Sequence, residues 1–152
     1  MKNIIKKCCI FSLVFVFLFT TFAYAVANVI KINGVDAPIP DGMGTIKEMD
    51  GRTFVPLRFV SEYLKNSVSF DEETKTVCVA SDTTSVVVQS GSDIMFIITA
   101  ETSEVVQKKM DTAAFIDEEE GRTYVPIRFL AEAFGYDVGW NEDTQVVTLD
   151  KK

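Results

Sequence analysis

The chain has 152 residues, 47% of them hydrophobic, with 22 acidic against 15 basic side chains for a formal charge of −7, and no histidine. A net-acidic chain repels phosphate backbones and anionic headgroups, which argues against a nucleic-acid partner and against binding to an anionic lipid surface. Without imidazole, the Ser-His and Cys-His nucleophile arrangements cannot be built.

Residues 1–27 read as a secretory signal peptide. Lys2, Lys6 and Lys7 precede the apolar run from Cys8 to Phe19, and Ala23-Tyr24-Ala25 and Ala25-Val26-Ala27 have the small-x-small form that signal peptidase requires. Cleavage is expected after Ala25 or Ala27. An uncleaved anchor is the alternative, because the apolar run approaches the roughly 20 residues that span a bilayer; a membrane association would follow only in that case. Cys8 and Cys9 precede the run instead of ending it, unlike a lipoprotein signal. The expected location is secreted or the extracellular face of the cell envelope. Removing the three lysines takes the charge from −7 to −10 and leaves Cys78 as the last thiol, so residues 28–152 must be held by a hydrophobic core and not by an internal disulfide. About 125 residues suit one compact domain.

VIKINGVDA follows, with Asn33-Gly34 predicting a tight hairpin turn. Pro38, Pro40, Gly42 and Gly44 mark an irregular loop. GRTFVPLRFVSEYL, Gly51 to Leu64, opens as a short, half-buried strand with Arg52 and Phe54 alternating with Thr53 and Val55. Pro56 lacks the N–H that a ladder needs and suits a helix start, while Leu57, Val60 and Leu64 recur at helical spacing. Asn66 is expected to end this helix, one residue late. VSFDEETKTVCV predicts a hairpin, and VVVQSGSDIMFII another, turning at Ser90-Gly91-Ser92.

Seventy positions after its first appearance the corner returns as GRTYVPIRFLAEAF, Gly121 to Phe134, and VGWNEDTQVVTL again predicts a hairpin. Aligned without a gap, residues 51–80 and 121–150 are identical at twelve of thirty positions, and most other pairs keep their size class, as Phe54/Tyr124 and Phe70/Trp140 do. A duplicated unit is therefore expected, with repeats over about 28–82 and 83–152. Gly135 is the expected C-terminal stop of the second helix. Each half reads hairpin, short strand, helix, hairpin. The fold class is α+β: mainly antiparallel sheet with one short helix per repeat, packed as one domain.

The pattern Gly-Arg-Thr-x-Val-Pro-x-Arg-Phe with Glu three residues on, followed by an aromatic-Asp/Asn turn, occurs at Gly51, Arg52, Pro56, Arg58, Phe59 and Glu62 and again at Gly121, Arg122, Pro126, Arg128, Phe129 and Glu132. It resembles the copper amine oxidase N-terminal-domain-like, or stalk-domain, family over essentially the whole chain after the signal. The resemblance implies an antiparallel sheet curled around a helix, a secreted or surface setting in Gram-positive bacteria, and a non-catalytic module. Copper does not carry over: copper(II) sites of that kind need imidazoles, and the chain has none. No cofactor or metal is expected.

Other constellations favour structural roles. Arg58-Glu62 and Arg128-Glu132 are spaced four apart and are expected to pair within their helices; Arg52 and Arg122 are expected to bond carbonyls at strand or helix ends. Cys78 reads as a small residue on a sheet face. Asp117-Glu118-Glu119-Glu120, like the hairpin turns, reads as solvated and lacks the spacing of a calcium loop. Phe70 and Trp140 are expected in the core, with Tyr136 and Trp140 the candidate ligand aromatics should they be exposed. The leading expectation is a non-catalytic stalk or scaffold that mediates protein contact or spacing. The alternative is a cell-wall or carbohydrate-binding module. A carboxylate-only hydrolase would need two carboxylates on one cleft.

Overall fold

The computed structural model describes residues 29–152. The proposed signal segment, with Cys8, Cys9 and both cleavage positions, lies outside the described residues. Among these, thirteen strands and two helices form three sheets.

The central sheet brings the two occurrences of the corner motif side by side. Strand β4 (Arg52–Pro56) pairs antiparallel with β11 (Arg122–Pro126), and the register sets Val55 directly opposite Val125, its own equivalent seventy positions on. The two motif strands therefore pair about a local two-fold axis, each presenting the same sequence positions to the other. Two short strands that the sequence pattern did not reveal flank them, β3 (Lys47–Met49) on β4 and β10 (Phe115–Asp117) on β11. Phe54, Val55, Tyr124 and Val125 are all buried. The expected half-buried alternation thus fails: this sheet is covered on both faces, so successive residues of either parity must be large and apolar.

Pro56 and Pro126 end their strands and stand at the helix starts with φ −58° and −62°. Helices α1 (Leu57–Tyr63) and α2 (Ile127–Ala133) follow without a side-chain cap. At seven residues each they are too short to persist alone, and their burial holds them. Leu57 and Val60 on α1, and Ile127 and Leu130 on α2, enter one shared core; each such side chain contributes about 1.5–3 kcal/mol on burial. Both helices stop at the same place. Gly135 has φ +78°, and Lys65, its counterpart, has φ +62°. The expected displacement to Asn66 does not occur, because the surrounding fold holds Lys65 left-handed despite the side-chain penalty.

Two outer sheets enclose the core. In one, β12 (Tyr136–Asn141), β13 (Val146–Lys151), β1 (Val29–Ile32) and β2 (Val35–Ala37) lie side by side. Most neighbours in the molecule are antiparallel, but β1 runs parallel to β13, so the first strand closes against the last. The other outer sheet runs β5 (Ser67–Asp71), β6 (Thr76–Ala80), β7 (Thr84–Gln89), β8 (Ile94–Thr99) and β9 (Val105–Lys109), antiparallel throughout. β7 separates β6 from β8, and those two point the same way, as β13 and β1 do.

Candidate functional site

The corner residues make mostly structural contacts. Arg58 reaches Glu62 at 4.0 Å, both half exposed, a pair worth a few tenths of a kcal/mol at most. Glu132 does not pair with Arg128 as the spacing suggested. Lys108 of β9, on the inward side of its sheet, takes it at 2.7 Å while lying 5.5 Å from the Phe129 ring centre. A cross-element lysine that covers an aromatic face outcompetes an Arg in the weaker Arg-before-Glu order. Arg52 donates to the Asp50 carbonyl at 2.9 Å, and its Nε lies 2.8 Å from Asp111 Oδ2, an ion pair without hydrogen-bond alignment. Arg122 donates to the Gly42 carbonyl. Phe59 is buried, but Phe129 is only half-buried. Glycines 51 and 121 take φ +69° and +63° in the turns that start the paired strands.

The acidic run is not simply solvated. Lys47 binds Asp117 and lies 3.1 Å from Glu120, with all three side chains largely covered. The Tyr124 hydroxyl donates to Glu120 and accepts the Thr45 N–H at 3.1 Å. The Lys47 ammonium holds the Asp117 carboxyl below the usual range, and the Tyr124 hydroxyl chiefly does so for Glu120. Lys47 is raised in turn by Asp117, and burial with Glu120 raises Tyr124. Gly44 sits against this cluster: a Cβ there would stand 2.7 Å from the Tyr124 hydroxyl. The cluster fastens the 38–46 loop to the second half. Its carboxylates are already engaged by a cation, and no group of three or more potential metal ligands occurs among the described residues. Copper of the imidazole-bound kind does not fit this chain, which lacks histidine.

Two surface features stand apart from the corner. The first is the outward face of the five-stranded sheet. Cys78, Val87 and Phe96 form one cross-strand row, and Ile98 and Val105 continue it in the next. Phe96 is 41% exposed and Val105 58%. The sequence did hold a signal for this face: Ile94 to Ile98 is apolar at both parities, so a sheet covered on one side must expose half of it.

The second is a cleft of about 420 Å³ where β12, the start of α2 and the β3–β4 turn meet, lined among others by Trp140, Phe129, Arg128, Arg52 and Asp111. Trp140, expected in the core, is 44% exposed because it overhangs the end of β12; Phe70, its equivalent, is 39% exposed at the end of β5. Tyr136 does not join Trp140. It lies by a separate cleft with Lys151, whose ammonium is 4.7 Å from its ring centre.

The described residues thus form a mostly antiparallel α+β domain with two helices. The chain belongs to the copper amine oxidase N-terminal domain family, whose model matches residues 31–149. That family is the N-terminal, non-catalytic domain and not the catalytic domain of such oxidases. No curated protein and no solved structure matches the chain.

Proposed function

We propose that this chain is a secreted or cell-surface, non-catalytic stalk or scaffold domain, built from two tandem copies of one unit, that mediates protein contact or spaces other components. The observation that carries this reading is the apolar outward row of Cys78, Val87 and Phe96, which faces solvent on a sheet whose other side already fills the core. An apolar patch on a folded surface costs solubility and marks a place where another surface docks. Family membership supports the absence of catalysis, and the Val55–Val125 register supports the duplication.

The test is crosslinking on intact cells with a photoreactive residue in place of Phe96. A discrete crosslinked protein is expected, lost when Val87→Asp is added. Equal capture with and without that charge would refute the reading. A second reading, a cell-wall or carbohydrate-binding module, is favoured by Trp140 standing exposed on the cleft.

A further inference from the structure

We infer that the Trp140 cleft is a subsite for a neutral oligosaccharide of pyranose rings, an inference that rests on the second of these readings and is independent of the first. The volume of about 420 Å³ falls within the range of small-ligand sites. Trp140 provides exposed aromatic surface on which the C–H face of a pyranose can stack, since those hydrogens meet the negative face of the ring, and the partly buried Phe129 adds apolar wall beside it. Around them stand the guanidinium of Arg128, which no ion pair engages among the described residues, and the Arg52–Asp111 ion pair, whose remaining N–H groups and carboxylate oxygen face the cleft. Guanidinium N–H groups donate to sugar oxygens and carboxylates accept from sugar hydroxyls, so both polarities that a hydroxyl needs are present. Glu48 and Asp50 also line the cleft, so acidic groups outnumber basic ones there and a polyanionic glycan is disfavoured.

The first half provides an internal control. The same fold positions there hold Arg58, which is paired with Glu62; Phe59, which is 2% exposed; Ser69; and Phe70. In the second half, Phe129 packs against the core but is only partly buried, and among the described residues no ion pair engages the exposed Arg128. Gly139 replaces Ser69 for a packing reason on the other face of the strand, where a Cβ would meet Thr148 Oγ1 at 2.5 Å. Trp140 replaces Phe70. The partly buried Phe129, the unpaired Arg128 and the larger ring of Trp140 each add ligand surface or a free donor at the cleft and leave the shared framework alone.

Trp140 is the single tryptophan of the chain, so its fluorescence reports this cleft without labelling. The full domain is titrated with the N-acetylglucosamine tetramer and with the glucose tetramer up to about 10 mM, a limit that still detects millimolar affinity. A saturable emission change with at least one tetramer is expected. By calorimetry, Trp140→Ala and Arg128→Ala should each weaken that binding by about tenfold or more, with circular dichroism unchanged, and Phe70→Ala should not weaken it. No saturable response to either tetramer, or full affinity in folded Trp140→Ala, overturns the subsite. Retention of Trp140→Ala on purified cell wall at the wild-type level would also overturn it, while leaving a wall-binding module that acts through another surface. Absence of wall binding by the unmodified domain, together with no response to either tetramer, would remove both.

Discussion

The two strand–helix corners share residues and backbone but not surroundings. Phe59 on α1 is sealed in the core, whereas Phe129 on α2 is half-buried at a cleft with Lys108 near its ring. Arg58 keeps its helical partner; Arg128 loses Glu132 to Lys108. The turn between β3 and β4 spans two residues, Asp50-Gly51, but that between β10 and β11 spans four, Glu118 to Gly121, and the added length carries Glu120 to Lys47 and Tyr124. A motif can thus fix a backbone corner twice while leaving each copy's surface open to a different use.

The largest expected contrast lies in the paired phenylalanines. Phe59→Ala should cost about 3–5 kcal/mol in denaturant unfolding, as for a filled core site, and Phe129→Ala about 1–2 kcal/mol, because part of that ring is already in water. Equal losses would erase the distinction between the two corners. Next comes the helix stop. Lys65→Gly should stabilise the domain by about 1 kcal/mol by relieving a left-handed side-chain-bearing residue, and Gly135→Lys should destabilise it by a similar amount. A neutral result for Lys65→Gly would show that the lysine side chain contributes contacts that offset its backbone strain.

The subtlest contrast is one of pH. Asp117 and Glu120 have lowered pKa values, so their contribution is fully present above the unfolded range near about pH 4 and is lost as pH falls through the lower folded values. Lys47 is raised, so its contribution persists below its ordinary value of 10.5 and is lost only as pH rises beyond it. Lys47→Met should therefore flatten the acid limb of a stability-against-pH curve measured from neutral pH to about pH 2. An unchanged acid limb would assign that limb to other carboxylates. Asp71 is one such group, lowered mainly by the Thr74 N–H that its side chain accepts.

Much of the local structure was legible in the sequence because it rests on short-range rules. Asn33-Gly34 makes its hairpin turn with both residues at positive φ, and the prolines mark both helix starts. The hairpins after each helix form with Asp71 and Asn141 accepting turn N–H groups. The strands β3, β9 and β10 are not legible in the sequence because three to five mixed residues carry no clear period, and their partners supply the structure. Of the cleft, only Trp140 is legible in the sequence as a candidate ligand aromatic, since the β3–β4 turn and Asp111 are remote from it along the chain.

The sequence by itself determined the strand–helix corner, its duplication in pattern, the hairpins that follow and the absence of imidazole chemistry, because each depends on residue type or on spacing within one or two turns. The tertiary structure alone decided that the two motifs face each other through Val55 and Val125, that β1 closes parallel on β13, and that Glu132 belongs to Lys108. It also decided which of two equivalent phenylalanines is sealed and which lines a cleft. Those outcomes depend on which distant groups compete for the same space and charge, and nothing within a short window of sequence sets that competition.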